Sequence, residues 1–312
     1  MNENKGMRIL LQFPEGLKQY AMQKAEELES QGHEVFLSSS NSYGACDIAI
    51  EEAKAIGADK IIHYGHAPFP LNVKLDIPVE FDEWRMDFDV SGLEIAVNEF
   101  RKRKIRTIAL GTTVQYVHKL EEVKKFFEKN GIEASYKKGS KTYYPGQVLG
   151  CDAGAVDIES DGILFVGDGM FHALAIASLN VDKPVFLFHP KGKTLKQIND
   201  EIEKLRKRRK GSIIKAVDCK SFGILLSTKP GQFNPEVAKW MKKELEKRGR
   251  KAQIIVSNEF EPYALNDFLV FDCYVSSACP RIAEDYKEFE KPVLNINMFN
   301  ELLRILDELA KQ

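Results

Sequence analysis

The chain has no long apolar run and almost no net charge. Its 45 basic and 46 acidic side chains leave −1 at pH 7, so no global field draws it to nucleic acid or to an anionic membrane surface. No stretch approaches the ~20 apolar residues of a membrane span. The polar start Met1-Asn-Glu-Asn-Lys-Gly-Met7 is expected to run directly into a strand, and no signal peptide is expected from it. A cytoplasmic protein is expected, and disulfides are rare there. Cysteine is also scarce: the five are Cys46, Cys151, Cys219, Cys273 and Cys279, and none stands in a CxxC or CxxxCxxC array. That excludes the local-motif route to a metal site, so these residues are read as free thiols or as ligands gathered from distant segments.

What is present describes an ordinary soluble globular chain, 44% hydrophobic and 29% charged over 312 residues. That length exceeds one core, so two or three domains are expected. The apolar runs arrange themselves into a triplicated plan. In the first segment Arg8–Gln12 reads as a strand, and Leu17, Ala21, Ala25 and Leu28 form a helix face ended by Gly32. Glu34–Ser38 is the next strand. Cys46 is expected to begin a helix that Gly57 ends, and Asp59–His63 and Pro78–Phe81 complete the segment.

The second segment repeats this with Thr107–Leu110, a helix carrying Val117, Leu120, Val123 and Phe127, Gly131, then Glu133–Tyr136, Asp161–Val166 and Lys183–Phe188. The third runs Phe222–Leu226, a helix with Val237, Trp240, Met241 and Leu245, Gly249, then Gln253–Val256, Phe268–Val275 and Lys291–Asn295, with an amphipathic helix to close. First strand and helix-ending glycine stand 23, 23 and 25 residues apart (Ile9 to Gly32, Ile108 to Gly131, Ile224 to Gly249). The fold class predicted is α/β: three similar βαβ-type domains with parallel sheets, arranged with pseudo-threefold symmetry around a shared centre. Their expected bounds are 1–95, 96–205 and 206–312. The basic run Lys204-Leu-Arg-Lys-Arg-Arg-Lys210 reads as a solvated helix face, not a nucleic-acid contact.

Strand ends in such sheets are where ligands bind. Cys46 and Cys151 hold equivalent places, each after a second strand and each followed by aspartate. Cys279 is the odd one, placed after a third strand in Ser276-Ser-Ala-Cys-Pro-Arg281. Three converging thiolates suit an iron–sulfur cluster with one iron left open. Zinc would want a fourth ligand, for which His63 and His66 are the nearest candidates by position. Cys219 and Cys273 have no repeat counterparts and read as structural. The loops Gly167-Asp-Gly-Met-Phe-His172 and Thr228-Lys-Pro-Gly-Gln232 offer polar groups to a small zwitterionic ligand: Asp168, Gly169 and His172 in one, Lys229, Gly231 and Gln232 in the other.

Seven motifs in order carry a resemblance across nearly the whole chain: Gln12-Phe-Pro-Glu-Gly-Leu17, Tyr43-Gly-Ala-Cys-Asp47, His63-Tyr-Gly-His66, Gly150-Cys-Asp152, Gly167–His172, Thr228–Gln232 and Ser277-Ala-Cys-Pro-Arg281. Together they resemble archaeal 2-(3-amino-3-carboxypropyl)histidine synthase, a non-canonical radical S-adenosylmethionine enzyme of diphthamide biosynthesis. The resemblance implies a homodimer with a [4Fe–4S] cluster on Cys46, Cys151 and Cys279. It further implies transfer of the 3-amino-3-carboxypropyl group of S-adenosylmethionine to carbon 2 of a histidine on elongation factor 2, with electrons from a separate donor. Glu15 and Arg281 receive no role. Quinolinate synthase, another three-domain cluster family, is the alternative, and a non-enzymatic metal-binding scaffold is a third. The Ala-Cys-Pro-Arg and Thr-Lys-Pro-Gly-Gln motifs favour the first.

Overall fold

The computed structural model describes residues 6–179, 182–285 and 289–311; the first five residues of the polar start and the last residue of the third repeat lie outside them. The chain divides into two compact units, Met1–Asn199 and Asp200–Gln312. The first holds two sheets and the second holds one.

In the first sheet, β1 (Arg8–Gln12) leads through α1 (Ala21–Glu29) to β2 (Glu34–Leu37), then through α2 (Ile50–Ile56) to β3 (Lys60–Tyr64) and on to β4 (Val79–Asp82). The strands are parallel in the order β2-β1-β3-β4. Side chains alternate along a strand: Ile9 and Leu11 pack with Ala25 of α1, whereas Leu10 packs with Ile50 and Ala53 of α2. Both faces are covered, which is why these strands read as unbroken apolar runs.

After α3 (Glu94–Arg103) the second sheet repeats the order with β5 (Thr107–Thr112), α4 (Leu120–Lys129), β6 (Glu133–Ser135), β7 (Gly162–Val166), the single turn α5 (Met170–Ala173) and β8 (Val185–His189). Every residue of β7 is buried. A fifth strand, β9 (Thr194–Gln197), adds antiparallel to β8. Its sequence Thr-Leu-Lys-Gln is mostly exposed and carries no apolar run, so nothing in the residue pattern announced it.

The second unit follows α6 (Asn199–Val217) with β10 (Ser221–Ser227), α7 (Pro235–Lys247), β11 (Lys251–Ser257), α8 (Pro262–Asn266), β12 (Cys273–Ser276), α9 (Ile282–Asp285), β13 (Val293–Leu294) and α10 (Ile296–Leu309). Its order, β11-β10-β12-β13, is again second, first, third, fourth. Asn295 caps α10 by accepting from the amides of Asn297 and Met298, both at 3.1 Å. The helix then buries Met298, Phe299, Leu302, Leu303 and Leu306, each worth about 1.5–3 kcal/mol on area grounds. The triplicated parallel plan thus stands, and the three helix-ending glycines all take positive φ: 87° at Gly32, 75° at Gly131 and 69° at Gly249.

The expected repeat bounds 95/96 and 205/206 lie within α3 and α6, polar stretches that are themselves helices. Two expectations change. The apolar run Phe268–Val275 is not one strand. Turn bonds from Phe268 to Leu265 and from Phe271 to Phe268 continue the end of α8, leaving Leu269 85% and Val270 71% exposed. Pairing begins only where the Asp272 amide reaches Ser221. The basic run in α6 keeps its lysines in solvent, but Arg208 and Arg209 turn to Glu284, so part of it is structural. Among the described residues no helix is long and apolar enough to cross a membrane.

Candidate functional site

In a sheet ordered 2-1-3-4 the connections diverge between the first and third strands, and the crevice beyond their carboxyl ends is the natural ligand site. Each of the three cysteines in question lies at such an end. Cys46 does not begin a helix as expected; α2 starts at Ile50, and Cys46 sits in the turn before it. The cause is Gln12, the last residue of β1. Its Nε2 donates to the Asp47 carbonyl (2.8 Å) and its Oε1 accepts the Ala49 amide (3.1 Å), occupying backbone groups a helix would need.

Cys151 lies in a two-residue turn closed by paired bonds between Leu149 and Asp152, 2.8 and 3.1 Å. Asp152 fixes that turn: its carboxylate accepts from the Lys141 amide (2.6 Å), the Gly154 amide (2.8 Å) and the Ser140 hydroxyl (3.0 Å). A Cβ at Gly139 or Gly154 would stand 2.9 Å from the same carboxylate, so both positions need glycine for close approach. The segment hooks onto the end of β5 through Val148 to Thr112, 2.8 Å. Burial raises the Cys151 thiol above its ordinary value, while Lys141 works against that rise.

Cys279 follows β12. Ser277 donates from both its amide (3.1 Å) and its hydroxyl (2.9 Å) to the Leu225 carbonyl, and the Ala278 amide donates to Ser276 Oγ at 3.2 Å. Behind it, Arg281 Nη1 meets Glu284 Oε2 at 3.0 Å, and Arg209 takes the other carboxylate oxygen.

The remaining two thiols lie at the opposite end of the third sheet. Cys273 opens β12 and is fully buried, and Cys219 stands just before β10. Cys219 Sγ donates to the Lys215 carbonyl at 3.5 Å and Cys273 Sγ to the Tyr274 carbonyl at 3.6 Å, and burial pushes the Cys273 thiol well above its ordinary value. They face away from the carboxyl-end crevice, in keeping with a structural role.

The residues expected to grip a small ligand fall in both units. Asp168 is exposed, accepts from Tyr116 Oη and lies 3.7 Å from His189 Nε2. Gly169 precedes α5 and His172 lies within it. In the second unit Lys229 is 4% exposed, and its ammonium meets Glu259 at 2.6 Å. The carboxylate it holds here is therefore the protein's own. Gly231 and Gln232 are half-buried in the same turn, with the Gln232 amide on the Lys229 carbonyl at 2.9 Å.

Residue-by-residue motif reading missed Gln12 as the brace of the Cys46 turn, and missed Tyr116, Glu259 and Glu284. All four act through partners distant in sequence. His63 is also not a spare metal ligand: Nδ1 contacts Gln12 Oε1 and Nε2 contacts His66 Nδ1, both at 2.9 Å. Among the described residues neither unit alone gathers three His, Cys, Asp or Glu side chains around one ion position. Of the two histidines offered as a fourth zinc ligand, His63 is thereby taken up within the protein.

Burial pushes His63 down to about 4, below the ~6.5 of an exposed imidazole. Between those values the unfolded chain binds more protons than the folded one. Stability present above the unfolded value is therefore lost as pH falls through that window, by on the order of 3 kcal/mol. Urea unfolding followed from neutral pH into this acidic window should show the midpoint falling, and His63→Gln should flatten that slope. An identical slope in the variant would rule His63 out as its source.

Residues 13–308 match the family described as "Putative diphthamide synthesis protein". The chain belongs to this family. It is 39% identical to 2-(3-amino-3-carboxypropyl)histidine synthase of Pyrococcus horikoshii over 304 residues, covering 96% of this chain and 87% of that one. It is 32% identical to 2-(3-amino-3-carboxypropyl)histidine synthase subunit 1 of Caenorhabditis elegans, covering 92% and 73%. The crystal structure of Dph2 from P. horikoshii superposes with a TM-score of 0.86 at 38% identity, over 96% of this chain and 86% of that one. A second crystal structure of that protein, with a 4Fe-4S cluster, gives 0.85. Membership of the diphthamide synthesis family decides against the quinolinate synthase and scaffold alternatives.

The donor set fits such a cluster. Cys46, Cys151 and Cys279 are half-buried and outside any disulfide, on turns held by the side chains of Gln12, Asp152 and Ser277 respectively. Soft thiolates partly shielded from water are what iron–sulfur clusters require.

Proposed function

We propose that this protein transfers the 3-amino-3-carboxypropyl group of S-adenosylmethionine to carbon 2 of a histidine on elongation factor 2, the first step of diphthamide biosynthesis. Cys46, Cys151 and Cys279 hold a [4Fe–4S] cluster, one from each of three repeats bounded near 95/96 and 205/206. The chain works as a cytoplasmic homodimer supplied by a separate electron donor. The observation that carries this is the placing of three cysteines outside any disulfide on pinned turns at the carboxyl ends of three like-ordered sheets, in a chain 39% identical to a named synthase.

When bound, a reduced cluster with one iron not held by protein supplies the electron that breaks the bond between sulfur and the methionine γ-carbon. The protein's part is binding and aim. Gln12 and Asp152 fix the turns that carry Cys46 and Cys151. Asp168, Gly169, His172, Lys229, Gly231 and Gln232 are the residues assigned to the substrate. Glu259 holds Lys229 in place before substrate arrives.

Anaerobic incubation with dithionite, S-adenosylmethionine labelled in the aminocarboxypropyl carbons and elongation factor 2 tests this. Label is expected on the factor, with 5′-methylthioadenosine released in equal amount. A factor left unlabelled, but labelled when the label is placed in the methyl group, would overturn it.

A further inference from the structure

The amide of Gln12 can take only one orientation, because one of its backbone partners is a carbonyl (Asp47) and the other an N–H (Ala49). Its Oε1 is therefore an acceptor, and His63 Nδ1, 2.9 Å away, must carry the proton it shares with that oxygen. In a neutral ring His63 Nε2 is then bare. It lies 2.9 Å from His66 Nδ1, which must be the donor. The chain of deduction ends at His66 Nε2: no proton, and no hydrogen-bond partner among the described residues. His66 is half-buried just beyond the end of β3, beside the connection-divergence point of the first sheet. Burial opposes its protonation, as do His63 and then His172, from α5 after β7. A lone pair kept neutral in this way adds no positive charge to a site meant for a sulfonium.

We propose that His66 Nε2 is a built acceptor for a substrate N–H, from either the amino group of S-adenosylmethionine or the ring N–H of the histidine to be modified. The inference rests on the transferase function proposed above. Gly65 belongs to the same device. It holds φ at +78°, and a Cβ there would stand 2.9 Å from Pro14, so only glycine lets the chain reverse between the two histidines.

The test uses the anaerobic, cluster-loaded protein with ring-¹⁵N histidine. Long-range ¹H–¹⁵N correlation should find both His63 and His66 protonated on Nδ1, and the His66 Nε2 resonance should move when one of the two substrates is added. His66→Ala should weaken that substrate by roughly tenfold, the worth of one hydrogen bond, and His66→Gln, which keeps one donor and one acceptor, should recover part. If the amino group is the source, wild type prefers S-adenosylmethionine over its deaminated analogue and His66→Ala binds both alike. If the target ring is the source, S-adenosylmethionine affinity and uncoupled cleavage stay unchanged while KM for the acceptor protein rises. A protonated His66 Nε2, or a resonance that neither substrate moves in a wild type that transfers label, overturns the proposal. Failure of the transferase function itself shows separately, as a wild type that transfers nothing. Should His66→Ala not fold, the wild-type spectrum and His66→Gln still decide.

Discussion

Replacing Cys46, Cys151 or Cys279 by alanine, one at a time, is expected to lower bound iron from about four per chain to a small fraction and to reduce transfer to background. A cluster held by three thiolates has no spare ligand, and the nearest unused sulfurs are at the wrong end of the third sheet. Cys219→Ala and Cys273→Ala are the controls. Cys273 is wholly buried among the core side chains around Phe222 and Val275, so its truncation costs on the order of 1 kcal/mol yet leaves iron unchanged. Iron assay and the visible absorption of anaerobic protein measure both. Loss of iron in Cys219→Ala with retention in Cys279→Ala would refute the ligand assignment.

Glu284→Ala should produce the largest loss of stability. Glu284 and Arg281 are each 6% exposed, and Glu284 also receives Arg209 while its carbonyl receives Arg208 at 2.7 Å. Removing one partner of a buried pair leaves the other charge unpaid in a poor solvent, a loss of about 3–5 kcal/mol. For a unit of this size that corresponds to a fall of roughly 10–20 °C in the melting midpoint. The consequence reaches the site. Arg281 is two residues beyond Cys279, whose carbonyl accepts the Ile282 amide at 3.2 Å, and Glu284 of α9 ties that segment to α6 through Arg208 and Arg209. Iron should therefore be lost on mild warming, before the first unit unfolds. Calorimetry with parallel iron release measures this; a midpoint unchanged in Glu284→Ala would show that the network contributes nothing net.

Much of the site was legible before any coordinates. Cys46 and Cys151 announce themselves by recurring at one place in a repeated plan, and both are followed by aspartate. In the structure Asp152 is the residue that fixes the Cys151 turn. Cys279 is recognisable by the apolar strand before it and Pro280 after it. The strand itself was drawn too long, because Phe268-Leu-Val-Phe271 has the composition of a buried strand while lying in an exposed turn. Composition reports what a segment could bury, not whether a neighbouring strand is there to pair with it.

The helix expected at Cys46 failed for a related reason. Propensity is a local sum of small preferences, and here it was outweighed by a glutamine more than thirty residues earlier whose amide takes two backbone groups of the turn. Lys229 was likewise read as open to a ligand carboxylate, and only the fold brings Glu259 to it.

By itself, then, the amino-acid sequence determined the class of each sheet, the threefold repetition, the helix-ending glycines and the equivalent places of Cys46 and Cys151, since these follow from periodicity and spacing along one dimension. The tertiary structure alone decided which side chains brace those cysteines and which nitrogen of each histidine carries the proton. Hydrogen bonds between Gln12, Asp47, His63 and His66 join residues three to 51 positions apart, and their donors and acceptors are fixed only once folding has set every partner in place.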